Sequence, residues 1–145
     1  MRLMSFRKFA AASEPATYVF TFSKSTTAGA AGILAYRGVH PSTPIDASGG
    51  QVTSKATNRA TAPSVVTTAS GAMLVAVFAS ASDVTTAEPT GMTERYDLLS
   101  GGTSKIGVAS DDERLAAAGS TGARTAALSK STTSIGQGIA LRPAP

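Results

Sequence analysis

The stretch AMLVAVF, residues 72–78, is the most apolar run of the chain and decides its fold class. A short apolar run without alternation is typical of a strand that is buried on both faces or lies centrally in a sheet. On either side of it, period-2 alternation recurs between turn residues, which is typical of a sandwich or a barrel. We therefore predict an all-β fold, an antiparallel, jelly-roll-like β-sandwich of about eight to ten strands.

The clearest alternation lies in residues 16–22, where aromatic side chains fall on one face and Thr17, Val19 and Thr21 on the other. The pattern predicts a strand, and Phe20→Ala is expected to cost about 3 to 5 kcal/mol. The rings should share a core with two side chains of the apolar run: Tyr18, Phe20, Phe22, Leu74 and Phe78.

The same criteria predict the remaining elements. Residues 40–50 and 80–91 are expected to be loops, and residues 111–118 are the only plausible helical turn. Residues 51–58 read as a polar edge strand. Further strands are predicted at residues 3–9, 33–39, 64–68, 92–99, 105–110, 124–128 and 135–142.

Length and composition indicate one domain, residues 1–145. The chain is 42% hydrophobic and 15% charged, so it should fold, and Ser and Thr supply about a quarter of its positions, which favours short strands and tight turns. Because cysteine is absent, disulfides, thiolate nucleophiles and zinc–thiolate sites are excluded.

Charge gives little indication of a nucleic-acid or membrane partner. The net charge is +4, but the basic residues are dispersed and only Arg7 and Lys8 are adjacent, whereas nucleic-acid binding needs a concentrated patch. No stretch approaches a spanning helix, and the run at residues 9–12 is too short for a signal-peptide core. We expect a soluble chain without its own leader, and neither nucleic acid nor membrane as a partner.

Catalytic patterns are also missing. The one histidine, His40, ends a predicted strand, and no Gly-x-Ser-x-Gly or Gly-Lys-Ser/Thr motif occurs, so we interpret His40 as a loop residue. Glycosidases need only two carboxylates, so the acidic residues are candidates in principle. These are Asp46, Glu88, Glu94, Asp97 and the cluster Asp111, Asp112 and Glu113.

Two small groups leave alternatives open. The cluster at residues 111–113 could cap a helix N-terminus, bind Ca²⁺ or take part in catalysis, and the cap is the preferred interpretation. Tyr36 and Tyr96 could contact sugars, although their positions in predicted strands favour packing. We assign no catalytic, cofactor-binding or metal-ligating residue.

Several segments, in this order, resemble a repeat-like β-domain of bacteriophage tail or other virion proteins, of prophage regions and of secreted bacterial surface proteins. The resemblance extends from Phe6 to Pro143 and implies a jelly-roll-like sandwich without catalytic residues. The segments are EPATYVFTF (14–22), GILAYRGV (32–39), PID (44–46), TAPSVVTT (61–68), GSTGARTA (119–126) and IALRP (139–143).

One departure from the family pattern bears on assembly. Opening strands, one with a Gly-Asp-Leu-Leu type motif and one with Gly-Trp, are absent ahead of Met1. Either the true start lies upstream or a neighbouring chain covers the exposed edge.

We therefore expect a non-enzymatic structural virion protein, a bacteriophage tail, fibre or capsid-decorating subunit. Its expected partners are other virion proteins, in a homo-oligomer or a large assembly, and a host-surface glycan. The alternative is a carbohydrate-binding accessory module of a secreted bacterial protein, which would be extracellular, and a hydrolase domain is the third reading.

Overall fold

The computed structural model describes residues 1–21, 26–101 and 103–145. In these residues all regular structure is β-strand, and no helix is long and apolar enough to cross a membrane. The strands in chain order are β1 (Ile45–Ala62), β2 (Val66–Thr67), β3 (Met73–Ser80), β4 (Thr86–Ala87), β5 (Thr93–Leu99), β6 (Gly107–Arg114), β7 (Gly119–Ser120) and β8 (Arg124–Leu141).

The apolar run forms the middle strand of the main sheet. The strand order is β1-β8-β3-β6-β5, and all pairings are antiparallel. Strand β3 pairs along its whole length with β6 on one side and with residues 134–141 of β8 on the other. Two short pairings, β4 with β8 and β2 with β7, complete the structure. The prediction that the run is central is confirmed.

A long folded ribbon produces the second layer. Strands β1 and β8 contain 18 residues each and pair from Ile45–Leu141 to Ala62–Arg124, with three register shifts on the way. The ribbon folds back on itself, so that the backbone of Thr61 lies directly over Gly136. Glycine is required at this crossing, because a Cβ on Gly136 would lie 2.0 Å from the Thr61 carbonyl oxygen.

The core between the two layers, called here the upper core, uses the period-2 pattern of β3. Leu74, Ala76 and Phe78 point into it and are almost completely buried. Alanines of the folded ribbon face them, and their small side chains let the layers approach closely. The remaining buried members are Ala60, Ala62, Val65, Val84, Met92, Ala126, Leu128 and Ala140.

The opposite face of the sheet is covered by the N-terminal region. Val75, Val77 and Val108 form a second apolar cluster, the lower core. Leu3 and residues from the segment 28–38 pack against it, although this region forms only an isolated bridge between Val39 and Pro143. Strand β3 is therefore buried on both faces. The partly buried side chains around this cluster are Leu3, Ala30, Leu34, Tyr36, Met73, Tyr96 and Leu141.

The predicted N-terminal strands are wrong for the described residues. Residues 3–9, 16–21 and 33–38 form no strand, and Tyr18 and Phe20 are exposed. Phe22 lies outside the described residues. Alternation produces a strand only where a neighbouring strand and an apolar face are available, and the segment 28–38 already occupies the lower face of the sheet. Leu74 and Phe78 are buried as predicted.

Four other boundaries differ from the sequence-based expectation. Asp111–Arg114 belongs to β6 and forms no helical turn, because β3 pairs with all four residues and β5 pairs with Asp111 and Asp112. The predicted loops 40–50 and 80–91 contain the start of β1 and all of β4. The two predicted C-terminal strands are one strand, β8. The all-β antiparallel sandwich is confirmed, and the jelly-roll arrangement stays a prediction.

Candidate functional site

Four acidic side chains, called here the acidic cluster, lie together at the β5 end of the sheet: Glu88, Glu94, Asp97 and Asp111. Glu94 is the cross-strand neighbour of Asp111, and the charges of Glu88 and Asp97 also act on Asp111. In the described part of the chain, each of the other five acids forms an ion pair, whereas these four form none. The five pairs are Lys8–Glu14, Arg142–Asp46, Lys130–Asp83, Arg95–Asp112 and Arg124–Glu113.

Asp111 is the most buried member of the acidic cluster. Its exposed fraction is 1%, and its Oδ2 atom has no hydrogen-bond partner among the described residues. Burial raises the pKa of Asp111 to about 7, and the negative charges of Glu94, Glu88, Asp97 and Asp112 act in the same direction. Because its pKa lies near neutrality, a protonated Asp111 is present over much of the physiological pH range.

This arrangement predicts a pH-dependent stability that Asp111→Asn should remove. The native pKa lies above the unfolded value of about 3.9, so the folded state binds more protons and stability falls as pH rises from about 4 to 7. At pH 8 the native state bears the full cost of ionising Asp111, roughly 4 kcal/mol by this difference. In Asp111→Asn, the buried side-chain amide lacks hydrogen-bond partners, which costs roughly 1 to 2 kcal/mol and reduces the gain in stability. We expect the variant to be roughly 2 to 3 kcal/mol more stable at pH 8.

Urea unfolding at pH 4.5 and pH 8 measures this effect, and Asp112→Asn is the matched control on the neighbouring residue. Asp112 is ion-paired, so its neutralisation should destabilise the protein at both pH values. A stability difference between Asp111→Asn and the unmodified protein that does not grow with pH would contradict the assignment.

The three consecutive acids in β6 do not converge on one point. Strand geometry sends Asp111 and Glu113 to the upper face and Asp112 to the lower face. Arg124 Nε donates to Glu113 Oε1 at 2.6 Å, which occupies that carboxylate. Within residues 1–21, 26–101 and 103–145, no group of three or more His, Cys, Asp or Glu is arranged to hold a metal ion. The helix-cap interpretation is wrong, because these residues lie inside a strand, and a Ca²⁺ site here has no geometric support.

Asp112 instead fastens the N-terminal region to the sheet. Tyr36 Oη donates to Asp112 Oδ2 at 2.7 Å, and the Arg95 guanidinium donates to both carboxylate oxygens at 2.7 Å. Burial, together with the hydrogen bond to Asp112, raises the pKa of Tyr36 above its usual range. Tyr36 and Tyr96 both pack against the lower core, as the packing interpretation expected. Neither ring forms an open platform for a sugar.

His40 lies in a local turn. Its Nδ1 atom accepts backbone N–H groups of Ser42 and Thr43 at 3.3 and 3.1 Å, and both hydroxyls approach the same nitrogen. No carboxylate hydrogen-bonds to the ring among the residues that the structure describes. The His40 ring is therefore held by hydrogen bonds within its own loop. Among the described residues, no carboxylate is positioned to orient the ring as the acid of a catalytic triad does.

Asp46 is a structural anchor in the described fold. Its side chain is fully buried and accepts from the backbone amides of Thr68 and Ala69, from the Thr68 hydroxyl and from Arg142. Burial alone would raise the pKa of Asp46, but these hydrogen bonds and the Arg142 charge outweigh it and hold the pKa below its usual value. Asp46 thus joins the start of β1 to the β2–β3 loop and the C-terminal end of β8.

A further feature was missed at the level of sequence, because Tyr18 and Phe20 were expected to lie in the core and the residues around them in strands. The N-terminal region exposes a series of large apolar side chains, with Phe6 at 76%, Val19 at 87% and Phe20 at 56% exposure. Single exposed apolar residues are normal, but eight of the twelve large apolar side chains that are exposed in the described residues lie within residues 1–33. The full set in this region is Met1, Met4, Phe6, Phe9, Tyr18, Val19, Phe20 and Ile33.

Comparison with known proteins adds no relative: no protein-family model, curated protein or solved structure matches the chain. The resemblance to virion-type domains stays a prediction.

Proposed function

We propose that the chain is a non-enzymatic structural subunit of a virion, of the bacteriophage tail, fibre or capsid-decorating type, that acts through protein–protein assembly. The observation that carries this proposal is the exposed apolar N-terminal segment around Val19 and Phe20. Apolar side chains held in water are unfavourable by roughly 1.5 to 3 kcal/mol each relative to a buried position, and a partner that covers them recovers this energy. Other virion proteins and further copies of the chain are the proposed partners.

The acidic side chains and His40 also support a structural role. The described acids are ion-paired or gathered in the partly buried acidic cluster, and His40 is held by its own turn. The dispersed Ser, Thr and Gly surface suits a particle made of many copies, because it is hydrophilic without strong repulsion between like charges. The carbohydrate-binding alternative would use Tyr36 and Tyr96, whose rings are packed against the lower core.

Sedimentation velocity on the full chain over a range of concentrations tests the proposal. We expect concentration-dependent association, and we expect the triple variant F6S/V19S/F20S to be monomeric, with the thermal midpoint that the wild-type chain shows at dilutions where it too is monomeric. The control is Val52→Ser, which removes an equally exposed apolar side chain from β1. A monomeric wild-type chain at about 100 μM, well above typical assembly constants, would overturn the proposal.

The virion location has a separate test. Tryptic peptides of the chain should be found in purified, nuclease-treated particles in a fixed ratio to the other structural proteins. Their absence from particles, together with their presence in a secreted fraction that binds glycans, would favour the carbohydrate-binding alternative.

A further inference from the structure

We infer that residues 16–21 of one chain add as an extra strand to the free edge of β5 in a second copy of the chain. This contact rests on the proposed assembly function and specifies its geometry. It pairs two different surfaces, so it is head-to-tail and generates a ring or an open filament.

The donor segment has the composition of a strand but no strand partner. Residues 16–21 read ATYVFT, in which the aromatic and β-branched residues favour strands. All six residues are exposed, and among the described residues they neither donate nor accept a backbone–backbone hydrogen bond. At about 3.3 Å per residue they span about 20 Å, close to the length of β5.

The acceptor edge is open from Tyr96 to Leu99, beyond its bulge. Strand β5 ends the sheet, so its outer backbone groups have no strand partner in the described structure. Soluble proteins usually protect such an edge with Lys, Pro or a bulge. Strand β5 contains neither Lys nor Pro, its one cation, Arg95, is bound to Asp112, and its bulge lies before Tyr96. Leu98 and Leu99 are both exposed at this edge, one on each face.

Charge selects β5 over the other free edge, β1. Residues 1–24 contain four basic residues and one acid, so the donor region is positive. The acidic cluster lies at β5, whereas β1 carries Lys55 and Arg59 and three register shifts. A positive segment is therefore attracted to the β5 edge and repelled from the β1 edge, in a manner that salt weakens.

Single-cysteine cross-linking tests the pairing, because the natural chain has no cysteine. Val19→Cys chains are mixed with Leu98→Cys chains and treated with a short bis-maleimide, whose span tolerates a register error of one or two residues. The matched control replaces Leu98→Cys with Val52→Cys, an exposed position on β1. We expect at least tenfold more mixed dimer from the first pair, and a ladder of multimers from the double variant V19C/L98C.

A proline substitution provides a second readout that does not depend on cross-linking. The added segment would be the new edge strand, so the N–H groups of Val19 and Phe20 point to opposite sides and one of them faces β5. At least one of Val19→Pro and Phe20→Pro therefore removes a ladder donor and should weaken self-association at least tenfold, with an unchanged thermal midpoint under dilute, monomeric conditions. Val19→Thr, which keeps the backbone donor and the strand propensity, should retain association.

The outcomes separate this inference from the function on which it rests. Equal cross-linking to Leu98→Cys and Val52→Cys, or cross-links of V19C/L98C that stay within one chain, would overturn the β5 assignment while an associating wild-type chain keeps the assembly function. A monomeric wild-type chain would overturn both. Association that persists at full strength in both Val19→Pro and Phe20→Pro would also overturn the inference.

Discussion

Gly136→Ala should prevent the chain from forming its two-layer fold. The new Cβ would lie 2.0 Å from the carbonyl oxygen and 2.3 Å from the carbonyl carbon of Thr61. These are backbone atoms of the overlying ribbon, so relief requires that the two layers separate. Overpacking of a core typically costs about 1 to 3 kcal/mol when side chains can yield, and we expect more than about 3 kcal/mol here because backbone must yield.

The control for this prediction is Gly50→Ala, in the partner strand of the same ribbon. A Cβ on Gly50 meets its nearest atom, the Gly136 carbonyl oxygen, at an ordinary 3.8 Å. Its effect should remain within about 0.5 kcal/mol. Urea unfolding followed by circular dichroism measures both variants, and a Gly136→Ala chain as stable as Gly50→Ala would show that the ribbon does not cross at this point.

Phe78→Ala should have the second large effect, a loss of about 3 to 5 kcal/mol. The Phe78 ring is the largest fully buried side chain, at 2% exposure, and it fills the upper core beneath Val84 and Leu128. Truncation removes its burial energy and leaves a cavity that the surrounding alanines are too small to fill. Denaturant midpoints and slopes, measured together, would separate a stability loss from a change in the unfolded state.

Phe20→Ala is the matched comparison for Phe78→Ala. The alternation of residues 16–22 predicted a large cost for this substitution, but the ring is exposed, so the change in stability of the monomer should be within about 0.5 kcal/mol. The same substitution should weaken association, because Phe20 lies in the donor segment. A cost above about 2 kcal/mol for Phe20→Ala in the monomer would restore the predicted N-terminal strand.

The acidic cluster links stability to assembly. Ionisation of Asp111 adds negative charge beside the β5 edge as pH rises, which destabilises the single chain and strengthens attraction for a positive segment. Asp111→Asn removes both the destabilising charge and the attractive charge. The variant should therefore be more stable than the wild-type chain at pH 8 but should associate no more strongly. Measuring both quantities on the same variant therefore separates folding from assembly.

The fold class and the central strand could be predicted from the amino-acid sequence. Residues 72–78 can be read locally, because a short apolar run with β-branched residues has few favourable environments other than the middle of a sheet. Leu74 and Phe78, two large side chains of this run, were also predicted for the core, and both are buried. The acids of the candidate site could be listed from the sequence, but their grouping could not be predicted. Glu88, Glu94, Asp97 and Asp111 come together only because β5 pairs with β6 and because a loop places Glu88 nearby.

The conformations of residues 16–21 and 111–114 depend on tertiary contacts and could not be predicted locally. Both segments have local patterns that fit more than one state, and the outcome depends on neighbours that are distant in sequence. Strand β3 pairs with residues 111–114, and β5 pairs with Asp111 and Asp112, which makes this segment a strand. No strand of the described chain reaches residues 16–21. Backbone hydrogen bonds in a sheet are made between segments, so a strand-forming sequence becomes a strand only where an edge is free to receive it.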